Sequence, residues 1–136
     1  MNDILIGKGD QHVHLLAKYG NRHGLVAGAT GTGKTASLMV MAEGFSRVGV
    51  PVFVADVKGD VAGLAVPGTP NPKIAERLAR IEIAGYAHEA NPVIFWDVNG
   101  ALGHPVRTTV SEVGPTLLAR ILQLNDTQGG ILEIVF

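Results

Sequence analysis

The sequence predicts an α/β fold, a doubly wound parallel sheet flanked by helices with an antiparallel ribbon ahead of it. Two observations carry this. Three short apolar runs, each ended by Gly or Asp, read as buried central strands: LVAG at 25–28, VFVAD at 52–56 and VIFWD at 93–97. The stretches between them carry apolar residues at helical spacing, so strand and helix alternate along the chain.

The first helix follows residue 33, with Leu38, Met41, Ala42 and Phe45 on one face and Gly49 and Pro51 as its stop. The second has Asn71 as its cap, Pro72 in its first turn and Ile74, Leu78 and Ile81 as its apolar stripe. Upstream, QHVHLLAKYGNRH alternates imperfectly around Val13 and Leu15, which suits an antiparallel edge ribbon. Near the end, Leu117, Leu118, Ile121 and Leu122 form an amphipathic helical stripe, followed by a turn at LNDTQ and an apolar run to Phe136. An uncovered ILEIVF would leave an apolar patch facing water, so residues 1–136 are expected to be the N-terminal part of a larger ATPase domain, truncated at its C-terminus. The rival reading is a terminal helix that docks on the sheet.

With 136 residues, 46% of them hydrophobic and 17% charged, the chain has the size and composition of one domain. It has no cysteine, which excludes disulfides, thiolate metal clusters and a thiol nucleophile. No stretch approaches the roughly 18 apolar residues of a membrane span, so a soluble, cytoplasmic protein is expected. Eleven Lys and Arg stand against 12 Asp and Glu with no basic block, so composition carries no electrostatic footprint for nucleic acid.

The chemistry concentrates in Gly28, Ala29, Thr30, Gly31, Thr32, Gly33, Lys34 and Thr35, which match GxxxxGK followed by Ser or Thr, between an expected strand and an expected helix. Glycines 28, 31 and 33 let successive backbone N–H groups turn inward toward phosphate oxygens, and the helix N-terminus adds its positive end. Lys34, the candidate catalytic residue, would reach the β and γ phosphates, while the Thr35 hydroxyl would take one position on Mg²⁺. The expected ligand is a nucleoside triphosphate held in a P-loop NTPase.

A second metal anchor is expected to be an Asp closing a buried strand, and Asp56 and Asp97 both fit by pattern. Asp56 opens DVKGD, which also fits the DxxG of GTPases. Only about twenty residues separate Lys34 from Asp56, which leaves no room for a switch loop, and no NKxD motif appears. Adenine is therefore preferred over guanine. Asp97 suits a turn residue, with Trp96 in the core.

NRHGLVAGATGTGKT, EGFSRVGVPVFVADVKGDVAGLA and HPVRTTVSEVGPTLLARILQLNDTQ together closely resemble the bacterial HerA-like P-loop ATPases of the HerA/FtsK type. DVKGD and LNDTQ are the more particular parts of this resemblance; the glycine loop is generic. It implies a RecA-like core that binds ATP with Mg²⁺, a ring of identical subunits and movement along nucleic acid. It also implies that the segment of Asp56 and Lys58 lies beside the nucleotide. Relatives carry their acidic metal-binding strand, catalytic Glu and arginine finger farther along the chain than Phe136, so this chain by itself is expected to bind ATP without efficient turnover. The alternatives are a GTPase-type switch and a small-molecule phosphotransferase, the latter lacking a visible Arg-rich lid.

His12 and His14 would share one face of a strand, either as two ligands of a zinc site with no third evident or as solvated imidazoles. Arg22 and His23 precede the loop strand, where a structural or subunit-contact role is expected. Arg107 suits an exposed strand position or a contact to phosphate in a neighbouring subunit.

Overall fold

A computed structural model describes residues 3–136. These divide into two units, one ending at Val93 and the other running from Ile94 to Phe136.

The first unit opens with the antiparallel ribbon that the alternation predicts. Strand β1 (Asp3–Lys8) pairs with β2 (His12–Leu16), with Ile4 opposite Leu15 and Lys8 opposite His12, and a bulge at Ile6 shifts the register between Leu5 and Gly7. Helix α1 (Lys34–Arg47) runs as the spacing predicts and stops at Gly49. Gly49 adopts a φ of 80°, its N–H donates to the Ser46 carbonyl, and the Val50 N–H donates to the Phe45 carbonyl, the two bonds of a Schellman stop. Helix α2 (Pro72–Ile81) begins where Asn71 and Pro72 predict: the Asn71 side chain accepts from the Lys73 N–H at 2.9 Å, and Pro72 sits in the first turn, where an N–H would have no intrahelical acceptor.

The core of this unit lies where β1 meets α1. Ile4 and Ala42 are its buried apolar residues, at 5% and 9% exposure. Ile4 seats directly on Gly44, so closely that any side chain at position 44 would occupy the volume of the Ile4 Cγ2 methyl. The missing Cβ is what lets strand and helix approach. Two polar ties hold the ribbon to the end of α2: the His12 Nε2–H donates to the Ile81 carbonyl at 2.7 Å, and Lys8 pairs with Glu82 at 2.6 Å. The ion pair adds little, because Glu82 is largely exposed.

The parallel sheet expected from the apolar runs is not formed among the described residues, whose sheets are both two-stranded. Residues 25–28 and 52–56 carry no strand, and Leu25 and Phe53 are 89% and 88% exposed. The physical reason is pairing: a central strand needs a hydrogen-bonded neighbour on each edge and cover on each face, and the runs at 25–28 and 52–56 pair with no strand among the described residues.

In the second unit the run at 93–97 contributes only β3 (Trp96–Asp97), paired in parallel with β4 (His104–Pro105). Trp96, expected in the core, is 61% exposed. Parallel neighbours normally need a long crossover. Here residues 98–103 suffice, because the Asp97 carboxylate gathers the loop by accepting from the N–H groups of Asn99, Ala101 and Leu102 at 3.2, 2.7 and 3.0 Å. The expectation that Asp97 organises a turn holds.

Helix α3 (Val110–Ile121) starts with a capping box, in which Thr109 and Glu112 exchange side chain to backbone bonds at 3.2 and 3.0 Å. It breaks at Gly114, whose φ of 72° and ψ of 165° are non-helical, immediately before Pro115. Helix α4 (Asp126–Val135) packs on α3 and also starts with a capping box, made by Asn125 and Gln128 at 2.9 and 3.1 Å. LNDTQ is thus a helix start as well as a turn, and the pair Gly129 and Gly130 lies inside the first turns of α4.

Candidate functional site

The glycine loop and the head of α1 form a closed local unit. Gly31 and Gly33 have φ of 80° and 94°, in the left-handed region that any side chain resists, and Gly33 is the N-cap of α1. The Ala29 carbonyl is the point on which the loop closes. It accepts from the Thr32 hydroxyl at 2.8 Å, from the Thr32 N–H at 3.4 Å and from the Lys34 ammonium at 2.6 Å. Lys34 is half-buried, folded back across the loop, whereas Gly28, Thr30 and Thr35 are exposed.

The electrostatics of this unit have one sign. Among the described residues no side chain caps α1 and no acidic residue lies in its first turn, so its own first turn offers no carboxylate to the N–H groups at its head or to the positive end of its dipole. Ser37 returns its hydroxyl to the Gly33 carbonyl at 3.2 Å, which stiffens the cap without using an N–H. A half-buried ammonium, a helix N-terminus and a glycine-lined turn within eight residues fit a polyanion carrying several phosphate oxygens, and Thr35 adds an exposed hydroxyl of the kind that ligates Mg²⁺.

The structure does not join Asp56 to this unit by any ion pair or hydrogen bond among the described residues. Both its carboxylate oxygens point into its own loop: Oδ1 accepts from the Lys58 and Gly59 N–H groups at 3.3 and 2.8 Å, and Oδ2 accepts from the Val61 N–H at 2.8 Å. Gly59, the last position of the DxxG match, has a φ of 81° and turns the chain. Asp56 and Asp97 therefore do the same local work, each folding a short loop around a carboxylate.

Both carboxyls lie below the usual carboxylate range. At Asp56 partial desolvation pushes the pKa up, and the N–H donors of Val61, Gly59, Lys58 and Asp60 together outweigh it. At Asp97 the donors of Leu102, Ala101 and Asn99 lead and desolvation opposes them. A depressed native pKa stabilises the fold fully above the unfolded-state value of about 4, and that contribution disappears as pH falls through the native value. Carboxyl ¹³C titration by NMR should give midpoints below about 3.9 for both residues, with the Val61 and Ala101 amide shifts moving at the same pH. Midpoints at or above that value would contradict the loop assignment.

Of the remaining features, His12 and His14 do share a face, with ring centroids 6.1 Å apart, edge to face. His12 spends its Nε2–H on the Ile81 carbonyl, and among the described residues no three His, Asp or Glu side chains gather as metal ligands. The pair belongs to the ribbon. Arg22, His23 and Arg107 are exposed, and Arg107 follows β4 instead of lying in a strand. No helix among the described residues is long and apolar enough to cross a membrane. Beside the apolar stripe of α2, Arg77 and Arg80 line a cleft with β1 and α1. The sequence signal for them is their spacing of one turn on the flank of that stripe.

No curated protein and no solved structure matches the chain. A family described as helicase HerA-like C-terminal matches residues 2–136, a span that includes the glycine loop, the Asp56 loop and the Asn125 capping box. With the match running over essentially its full length, this chain belongs to the helicase HerA-like C-terminal family.

Proposed function

We propose that the chain is the ATP-binding part of a HerA-like motor, with a RecA-like P-loop core that works in a ring of identical subunits and moves along nucleic acid. The observation that carries this is the glycine loop closed on the Ala29 carbonyl at the uncapped head of α1, with Lys34 folded across it. Family membership supports the motor and the ring.

Each residue has a defined task. The N–H groups of residues 29–33 and the head of α1 surround the phosphate oxygens, with Gly28, Gly31 and Gly33 leaving room for them. Lys34 neutralises the β and γ oxygens, trading its bond to Ala29 for charge-assisted bonds to phosphate. Thr35 offers its hydroxyl to Mg²⁺, which supplies electrostatic stabilisation of the bound phosphates. Asp56 shapes the loop beside the nucleotide and does so through backbone bonds, leaving Lys58 and Asp60 as exposed charges there.

Thr35→Ala tests the assignment. Titration with a fluorescent ATP analogue should give similar affinities for the variant and the parent in EDTA, while added Mg²⁺ strengthens binding for the parent alone. A full magnesium response in the variant would remove Thr35 from the metal shell.

A further inference from the structure

A cleft of about 690 Å³ opens between β1, α1 and α2 in the first unit. Its α1 wall is formed by Ala36, Ser37 and Val40, so it begins one residue beyond Thr35 and runs along the side of the helix. At 1.5 Å of rise per residue, Val40 lies about 9 Å along the axis from Lys34, within the length of one nucleotide. Leu5, Ile6 and Val40 give the cleft apolar surface. Across from α1, Arg77 and Arg80 border it from successive turns of α2.

These two arginines have no ion-pair partner among the described residues. Lys8, the third cation at the cleft, is already paired with Glu82. Arginines that share a cleft with apolar walls suit a flat aromatic ring, because the guanidinium group is weakly hydrated and stacks on π faces. The volume falls in the range typical of small-ligand sites.

We propose that this cleft receives the purine base of the nucleotide whose phosphates the glycine loop holds, with Arg77 and Arg80 stacking on the ring and Val40 forming its floor. The inference rests on the nucleotide reading given above. It assigns the contacts that would make the site bind a nucleotide more tightly than bare triphosphate, and it places them on α2 and the ribbon, outside the glycine loop. Two cation–π contacts of this kind are together worth a factor of roughly ten in affinity.

The test compares ATP with inorganic tripolyphosphate, both with Mg²⁺, by calorimetric titration of the 136-residue chain. The parent should bind ATP about tenfold more tightly than tripolyphosphate. In Arg77→Ala/Arg80→Ala that ratio should fall toward one, and Val40→Phe, which fills the cleft without changing charge, should lower it in the same way. All three positions are exposed, and neither Ile4 nor Gly44 lines the cleft. A ratio near one in the parent, or a ratio that survives both variants, would overturn the base assignment while leaving the glycine loop in place. Tripolyphosphate binding that is indifferent to Lys34→Ala would instead overturn the nucleotide reading itself, and the base pocket with it.

Discussion

Replacing Lys34 with Ala lowers the affinity of the chain for an ATP analogue by about 100-fold or more, because the loss of a charge-assisted contact to desolvated phosphate costs on the order of 3 kcal/mol. The structure gives the lysine two tasks, and the variant removes both. Its ammonium carries the positive charge inside the loop, and its bond to the Ala29 carbonyl at 2.6 Å holds the loop closed over the head of α1. Thr32 keeps its own bonds to Ala29 and the helix N-terminus keeps its dipole, so weak residual binding persists. Lys34→Arg keeps the charge but not the compact point donor, and it should recover only part of the affinity. Equilibrium titration by fluorescence anisotropy checks this; affinity within threefold of the parent would sink the role given to Lys34.

Gly44→Val has the largest expected effect on stability, a loss of about 2 kcal/mol from the first unit. Two effects compete. Leaving glycine in a helix interior gains a few tenths of a kcal/mol when the replacement is β-branched. Against that, the new Cβ and its methyls fall in the volume of Ile4, and overpacking of this kind costs about 1 to 3 kcal/mol. The clash wins because neither side yields cheaply: Ile4 is buried in a paired strand and Gly44 belongs to a continuous helix. With Ile4 and Ala42 as the buried apolar residues, little other packing compensates. Urea unfolding followed by circular dichroism should show a lowered midpoint, and an unchanged or raised midpoint would mean that β1 does not rest on α1.

What could be read from the sequence divides along the range of the forces involved. Helix starts and stops are decided within a few residues, and Asn71 with Pro72, Gly49 and the Asp97 turn all stand where their side-chain chemistry puts them. The ribbon was legible from alternation, though not its bulge at Ile6, which leaves no mark in composition. Apolar runs state that a segment should be buried without stating against what, and so Leu25, Phe53 and Trp96 were expected inside and are exposed. At the candidate site the glycine spacing at 28, 31 and 33 foretold a tight turn, and Gly31 and Gly33 make it with left-handed φ. It did not foretell that Asp56 would spend both oxygens on its own loop, since a carboxylate after a strand has the same sequence signature whether it faces a metal or folds a turn.

The central claim is that the loop from Gly28 to Thr35 grips phosphate through its backbone, and amide chemical shifts measure that contact directly. Titrating the ¹⁵N-labelled chain with ATP and Mg²⁺ should move the N–H signals of Gly31, Gly33, Lys34 and Thr35 first and farthest, with the Asn125 and Gln128 amides of the α4 capping box unmoved. Loop amides that stay in place while signals elsewhere shift would contradict the account.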